Sequence, residues 1–581
     1  MKKLLFILCC ISILSSSYGQ TTAYDTISIN NISARINDNG NLFWNLSNAS
    51  EFKVPKGGKA GTIFNSTLWV GGLDSSGALH LAAEEYRESG DDYWPGPIST
   101  VYDSAYDLKW NNVWKITKTE IDTFLANWWL PGYTPSQAIS NWPGNGDTTL
   151  GQAKIIAPFY DRNHDGIYNP HDGDYPLIKG DEAILFVIND ARSAHTESGG
   201  TKLGLDIVAM AYAFDCPSDS ALWNTLFLNY KIYNHSVNTY HNTYIGNFTD
   251  LDIGFANDDY IGCDVQRSSY YGYNGVNVDG SGQIGSYGVC PPAQSVTFLA
   301  GPYLDPADII NNPPGQCNAS VSGFDFGSGI NDRERFGLTK FIYYSNADQG
   351  GPVACTDPVV AIDYYHYLND IWKDGTPMMW GGNAHTGGPG VCGPDCTFMF
   401  PGNSDSLYWS DSCRTPNCTP IWTERNVGNM PGDRRGLGVS GPFTFFPDSV
   451  EQLDLAFVFA RTFSDSTDTA AIPIMQQRID SVRKYFMNDN TPCGGSFSYI
   501  SPHEQIIPQF LIYPNPTANK LTIECPKQAT IEILNMQGQL IRVVTARSYN
   551  ETIDVSTLSN GVYIVEVKTE KRMEVRKFIK E

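Results

Sequence analysis

Positive charge is scarce in this sequence. Its 581 residues include 39 Lys and Arg against 62 Asp and Glu, which gives a formal net charge of -23. Proteins that bind nucleic acid or anionic membranes use basic patches, which so few basic groups cannot readily supply. We therefore expect no nucleic-acid partner. The acidic balance suits an exported protein that binds cations.

Long apolar runs are missing beyond the N-terminus. The run at residues 4–14 is about half of the roughly 20 residues that a membrane helix needs. It follows Met1-Lys2-Lys3 and is followed by Ser15-Ser16-Ser17-Tyr18-Gly19, which places a small residue before the polar Gln20. This pattern predicts a secretory signal peptide at 1–19 rather than a membrane span.

Common catalytic signatures are also missing. The sequence contains no Gly-x-Ser-x-Gly nucleophile elbow, no His-Glu-x-x-His zinc helix and no phosphate-binding glycine loop. Paired carboxylates of the glycosidase type leave no local spacing signature, so their absence cannot be read from sequence. We assign no catalytic residue, and whether the protein is an enzyme stays open.

Aromatic residues and turn formers are abundant. Aromatics make up 13% of the chain, with 32 Tyr and 13 Trp, beside 54 Gly and 34 Pro. Aromatic strands separated by many turns predict a mainly β, multi-domain protein with a β-sandwich body. Helical periodicity predicts helices near 115–127, 359–372 and 470–486.

The predicted organisation has six segments. They are a signal peptide at 1–19, an N-terminal β-rich module at 20–155, a calcium-binding loop at 156–180, a β-sandwich passenger domain with disulfide-stapled loops at 181–487, a linker at 488–509, and a C-terminal immunoglobulin-like β-sandwich at 510–581.

Cysteine usage predicts disulfides. Eleven cysteines follow the predicted signal peptide, and ten of them lie between residues 216 and 493. An even number in an exported body favours disulfide bonds. Two pairs are close enough to bridge locally, and the candidates are Cys392, Cys396, Cys413 and Cys418. The alternative is a zinc site with His385, although these spacings differ from the usual two-residue knuckle.

Residues 161–172 carry the clearest chemistry. Oxygen donors stand at loop positions 1, 3, 5, 9 and 12, a backbone carbonyl is at 7, and a glycine at 6 permits a sharp turn. Calcium prefers such hard oxygen ligands. The predicted ligands are Asp161, Asn163, Asp165, Ile167 through its carbonyl, Asn169 and Asp172, with Asp174 as a further candidate.

Position 12 of this loop is an Asp, and prolines flank it. The loop therefore resembles the calcium loops of dockerins and thrombospondin type 3 repeats, which implies a structural Ca²⁺. The alternative is a surface turn rich in Asp, Asn and Gly.

A second acidic segment spans residues 250–264. It holds five Asp and one Asn in fifteen residues. A second cation site, a carboxylate active site and a solvated loop are all compatible with this composition.

The last seventy or so residues have a pattern of their own. Short alternating strands joined by Asn/Gly turns predict a small β-sandwich. The motif residues are Tyr513, Pro514, Asn515 and Pro516 at the start, Gly538, Gly561 and Tyr563 in the middle, and Lys577 and Phe578 near the end. Together they resemble the type A sorting domain of the type IX secretion system of Bacteroidetes.

That resemblance implies the secretion machinery as a partner. It also implies passage through the periplasm and across the outer membrane, usually with removal of the domain. The passenger is then anchored on the surface or released. The body resembles a set of large, β-rich Bacteroidetes surface proteins through motifs at 258–264, 372–377 and 433–443, a resemblance that implies a fold and no mechanism.

Two functions follow from these observations. The first is a calcium-stabilised structural or adhesive protein with a surface glycan or protein ligand. The second is a secreted carbohydrate-binding protein or carbohydrate-active enzyme. Exposed Trp side chains beside two carboxylates would favour the second, whereas buried Trp side chains would favour the first.

Overall fold

A computed structural model describes most of the chain. The described residues are 22–47, 49–86, 90–305, 323–325, 334–346, 352–408, 414–418, 420–499, 511–525, 527–536, 539–548, 550–568 and 573–581. The predicted signal peptide, Cys413 and Gly538 lie outside them. The chain divides into two compact units, Met1–Ile500 and Ser501–Glu581. Within the described part, no helix is long and apolar enough to cross a bilayer.

A nine-stranded antiparallel sheet forms the centre of the first unit. Its strands are β7 (Trp94–Pro95), β8 (Trp114–Thr117), β11 (Glu182–Asn189), β12 (Leu205–Ala213), β13 (Thr225–Asn234), β15 (Asp259–Asp264), β16 (Ser269–Asn274), β19 (Ala293–Ala300) and β24 (Val450–Ala460). They follow the order β15-β16-β19-β24-β13-β12-β11-β7, and β8 also pairs with β11.

A five-stranded antiparallel sheet packs on this centre. Its strands are β5 (Asn65–Leu73), β6 (Leu79–Ala83), β14 (Tyr240–Asp250), β20 (Lys340–Tyr344) and β23 (Arg435–Phe445). They follow the order β20-β23-β14-β5-β6.

Smaller sheets complete the unit. A four-stranded sheet holds β1 (Tyr24–Ile27), β2 (Ser33–Asn37), β3 (Phe52–Lys53) and β4 (Gly61–Ile63). Three further pairs of strands form two-stranded sheets. They are β9 (Phe159–Tyr160) with β10 (Tyr175–Pro176), β17 (Val278–Asp279) with β18 (Gly288–Val289), and β21 (Met379–Gly381) with β22 (Val391–Asp395).

The central sheet is buried on both faces. Ile184 and Phe186 of β11 join the core shared with the five-stranded sheet, while Leu185 and Val187 join a second core on the opposite face. A strand covered on both sides reads as a continuous apolar run rather than an alternating one. This explains why residues 183–188 are apolar at every position.

Helices contribute to both cores of this unit. The α-helices are α1 (Ser104–Trp110), α2 (Lys118–Asn127), α3 (Gln137–Ser140), α4 (Ala361–Leu368), α5 (Glu424–Val427) and α6 (Ile472–Met487), and short 3₁₀ turns occur at Thr148–Leu150, Pro170–Asp172, Leu222–Asn224, Ala256–Asp258, Val265–Arg267, Gly280–Gly282 and Val353–Cys355. The helix predicted from residue 115 begins at Lys118. The reason is a capping box between Thr117 and Glu120, which leaves residues 114–117 to strand β8.

The segments predicted as separate modules at 20–155 and 181–487 share these sheets. Strand β5 of the first pairs with β14 of the second, and β8 pairs with β11 in the same way. Each segment thus supplies strands whose backbone groups are satisfied by the other, so together they form one compact unit.

The second unit is a small β-sandwich of seven strands. One sheet holds β25 (Leu511–Tyr513), β26 (Lys520–Glu524) and β29 (Asn550–Asp554), and the other holds β27 (Thr530–Asn535), β28 (Leu540–Thr545), β30 (Gly561–Lys568) and β31 (Met573–Lys580). Alternate residues such as Ile531, Ile533, Val565 and Val567 fill its core. With 38% strand and 14% helix in the whole structure, the mainly β prediction is confirmed.

Candidate functional sites

The predicted calcium loop connects the two strands of the β9–β10 hairpin. Tyr160 pairs with Tyr175 and Phe159 with Pro176, so residues 161–174 form the connecting loop. Gly166 has a φ of +74°, a left-handed conformation that glycine adopts at no steric cost. The sharp turn predicted at loop position 6 is therefore present.

The first half of the loop is held by hydrogen bonds among its own residues. Asp161 accepts a hydrogen bond from the Gly166 N–H at 2.7 Å through Oδ2, while its Oδ1 is buried and has no hydrogen-bond partner. Asp165 accepts from the Ile167 N–H at 2.7 Å, and Asn163 Nδ2 lies 3.0 Å from the second Asp165 oxygen. Three predicted ligand side chains thus converge around one turn.

The second half is held differently. Asn169 caps the 3₁₀ turn by accepting from the His171 N–H, and its Nδ2 donates to Asp172 at 2.6 Å. Asp174 is buried and accepts from the backbone N–H groups of Arg162 and Asn169 at 2.8 and 2.9 Å, so it pins both ends of the loop. Burial raises the pKa of Asp174 above its ordinary value, and the nearby acidic side chains add to this effect, although its two backbone hydrogen bonds act in the opposite direction.

Disulfides are confirmed, with pairings that differ from the local ones. Cys392 bonds to Cys418, 26 residues away, and Cys216 bonds to Cys493, 277 residues away. The sulfurs of Cys392 and Cys418 are therefore not available as ligands for the zinc alternative.

Not every cysteine is paired. Cys263, Cys290 and Cys355 are buried thiols that form no disulfide, and Cys396 is buried as well. A buried thiol packs as a small apolar group. Although the body has an even number of cysteines, some of them are therefore not in disulfide bonds.

The acidic segment 250–264 does not close into one site. Asp258 accepts from the Gly280 N–H, Asp259 accepts from the Ile253 N–H, and Asp264 pairs with Arg267 at 2.9 Å. These three carboxylates therefore stabilise the fold around strand β15.

The two remaining carboxylates of that segment lie next to Asp433, a residue that the sequence analysis did not single out. Asp250 and Asp252 lie beside Asp433, and each side chain can offer one oxygen within 4.8 Å of the other two. Asp433 is about 180 residues away, so only the pairing of β14 with β23 could have revealed it. Among the described residues, no other group of three acidic side chains can bring its oxygens within 4.8 Å of one another.

A further buried carboxyl lies on strand β24. Glu451 accepts a hydrogen bond from the Tyr303 N–H at 2.9 Å through Oε2. Burial raises its pKa to about 7 from an ordinary value of 4.5, although that hydrogen bond and Arg335 act in the opposite direction. The folded protein therefore holds a proton on Glu451 more tightly than the unfolded chain does.

This shift predicts a pH-dependent effect of Glu451→Gln. Protonated Glu451 stabilises the folded state fully below about pH 4. This stabilisation is lost as the pH rises through the pKa that Glu451 has in the folded protein, whereas a Gln side chain stays neutral at every pH. We expect the variant to gain about 1–3 kcal/mol over the natural protein at pH 8 and little at pH 4. Denaturant unfolding at both values measures the difference. An equal difference at the two pH values would contradict the assignment.

The C-terminal sandwich joins the two ends of its motif. Asn515 Nδ2 donates to the Lys577 carbonyl at 3.1 Å, and its Oδ1 accepts from the Ile579 N–H at 2.8 Å. Tyr563 stacks on Phe578 across β30 and β31 with ring centroids 5.4 Å apart. The opening and closing segments of the motif therefore contact each other, although they are about 60 residues apart in sequence.

Comparison with protein families decides the identity of this unit. Residues 511–581 match the model of the secretion system C-terminal sorting domain. The chain carries a type IX secretion sorting domain. This confirms the predicted family of the C-terminus, and it directs the protein to the cell surface or the medium.

The sorting domain accounts only for the end of the chain. No curated protein shows a significant match to the sequence. A structural comparison pairs the chain with PorZ, an essential surface component of the type IX secretion system of Porphyromonas gingivalis. It has 10% identity, coverage of 96% of this chain and 75% of that chain, and a TM-score of 0.12. So low a score supports no argument about the body.

Proposed function

We propose that the exported body is a calcium-stabilised structural or adhesive protein of the cell surface or surrounding medium. The observation that carries this proposal is the buried, unpartnered Oδ1 of Asp161 inside a turn lined by oxygen donors. A buried carboxylate oxygen without a partner is costly unless a proton or a cation satisfies it.

The chemistry of the loop fits Ca²⁺. Asp161, Asn163 and Asp165 would hold the ion from the first half of the loop, the Ile167 carbonyl would contribute at position 7, and Asn169 and Asp172 would close the set. Their ligand atoms are all oxygens, the type that Ca²⁺ prefers. A bound ion would neutralise the clustered carboxylates and stabilise the β9–β10 hairpin.

The burial of tryptophan supports a structural role. Trp44, Trp69, Trp110, Trp114, Trp142, Trp372, Trp380 and Trp422 are all buried. Trp129, in contrast, is 64% exposed. Most described Trp side chains therefore contribute to the core and are not available to stack on sugars.

Calcium is expected to raise the thermal stability of the purified protein. At a free calcium concentration about 100-fold above Kd, binding to the folded state alone adds about 2–3 kcal/mol. Asp161→Asn and Asp165→Asn should each remove most of this gain, because each removes a charged ligand from the loop. Thermal melts in calcium and in chelator measure the effect.

A matched control for these variants is Asp122→Asn. Asp122 lies on the exposed face of helix α2, where it pairs with Lys118, so its loss should leave the calcium response intact. A natural protein that melts at one temperature in calcium and chelator would contradict the loop as a calcium site.

A glycan array tests the structural role against the carbohydrate alternative. The folded protein, applied with calcium and again with chelator, is expected to show no selective glycan binding. Strong and selective binding would favour a carbohydrate-binding protein or enzyme, and the bound sugars would become candidates for a hydrolysis screen.

A further inference from the structure

The pairing of two strands brings three carboxylates to one end of the five-stranded sheet. Asp250, the last residue of β14, pairs with Arg435, the first residue of β23. The next pair along is Leu251 and Arg434, whose N–H and carbonyl are 3.0 Å apart. One step further, the same antiparallel direction places Asp252 beside Asp433. Asp250 and Asp252 are two residues apart, a spacing that puts side chains on one face of an extended chain.

The oxygens of this cluster are poorly satisfied by the protein. Asp250 is only 5% exposed, and its Oδ1 is buried without a hydrogen-bond partner. Its Oδ2 accepts from the Tyr86 hydroxyl at 2.8 Å. Asp433 Oδ1 is also buried and unpartnered. Two carboxylate oxygens therefore lack the partner that burial normally requires.

A neutral oxygen stands next to them. Asn65 on strand β5 lies directly opposite Asp250, and residues in that position share a face of the sheet. The Asn65 Nδ2 donates to the Glu85 carbonyl, whereas its Oδ1 is buried and has no partner. Strand β5 thus adds a fourth candidate oxygen ligand.

The cluster has more negative charge than its neighbours balance. Arg435 lies 3.3 Å from Asp433, but it is shared with Asp357, which is closer at 2.6 Å. One shared guanidinium cannot neutralise three carboxylates held this close together. A bound cation would supply the positive charge that balances these carboxylates.

We propose that Asp250, Asp252 and Asp433 bind a divalent cation of the hard, oxygen-preferring class, with Ca²⁺ the expected ion. The ligand set has no sulfur or imidazole, which argues against a softer metal. The ion would join β14 to the segment that leads into β23, and Asn65 would extend this link to β5. It would stabilise one end of the five-stranded sheet, independently of the loop at 161–172.

Calorimetric titration of chelator-treated full-length protein with Ca²⁺, Mg²⁺ and Mn²⁺ tests this site. We expect Asp252→Asn and Asp433→Asn each to weaken one class of Ca²⁺ sites by about tenfold or more, since even outer ligands of metal sites carry effects of this size. Asp165→Asn in the calcium loop should leave that class unchanged, as should the surface control Asp122→Asn.

Two measurements keep the result interpretable. Asp252 and Asp433 are partly exposed, and Asn preserves their shape, so both variants should fold. In chelator each should melt at or above the natural protein, because charge repulsion is reduced. If the calcium loop does not bind Ca²⁺ but the Asp250, Asp252 and Asp433 site does, the natural protein shows one class of sites. That class should be lost in Asp252→Asn and kept in Asp165→Asn, which would support the proposal. If both folded variants bind all three ions with natural stoichiometry and affinity, the proposal is overturned, and protons together with Arg435 satisfy the cluster.

Discussion

Deletion of residues 511–581 is expected to abolish delivery of the protein to the cell surface and the medium. Those residues match the secretion sorting domain, whose strands, core and motif contacts form a unit of their own. Truncated protein should accumulate in the periplasm, since export across the outer membrane depends on that domain. Fractionation of a bacterium with a working type IX secretion system, followed by detection of the body, measures the shift.

The periplasmic fraction provides the control for this deletion. Body protein found there and resistant to protease shows that truncation spares synthesis, inner-membrane passage and folding. Truncated protein at natural amounts on the surface or in the medium would show that residues outside the sorting domain direct export.

Removal of the Cys216–Cys493 disulfide is expected to cause the largest loss of stability from substitution of one pair of residues. The bond closes a loop with a sequence separation of 277 residues. It ties the end of strand β12 to the segment after helix α6, which packs on the central sheet through Met475, Ile479 and Val482. In the chain-entropy account, a cross-link across so long a loop contributes about 5.5 kcal/mol.

The variant Cys216→Ala/Cys493→Ala should therefore show a clearly lower denaturant midpoint than the natural protein. Cys392→Ala/Cys418→Ala is the matched comparison, because its loop has a sequence separation of only 26 residues and contributes about 3.5 kcal/mol. A larger loss from the short loop than from the long one would be inconsistent with this account. Reducing agent should lower the midpoint of the natural protein below that of the first variant, because it breaks both disulfides.

The sorting domain was predictable because its information is local. Alternating residues such as Ile531 and Ile533 mark each strand, and turn residues mark the connections. A small β-sandwich of this kind repeats the same short pattern, so both its fold and its motif can be read along the chain. The structure adds the contact of Asn515 with β31, which explains why residues at both ends of the domain belong to one motif.

Helix ends show the limit of periodicity. Residues 115–117 lie inside the predicted helix, yet they pair with strand β11 in the central sheet. Their tertiary partner outweighs a weak local preference, and the capping box at Thr117 sets the true start of α2.

The sequence by itself determined the destination of this protein, its β-rich class and the loop proposed to bind calcium. All three are encoded in residues that are neighbours along the chain. Tertiary structure alone decided that the N-terminal strands complete the sheets of the later segment, which cysteines pair, and that Asp433 joins Asp250 and Asp252. Those contacts connect residues far apart in sequence, and their formation depends on how strands of different segments satisfy each other's backbone and bury each other's apolar faces.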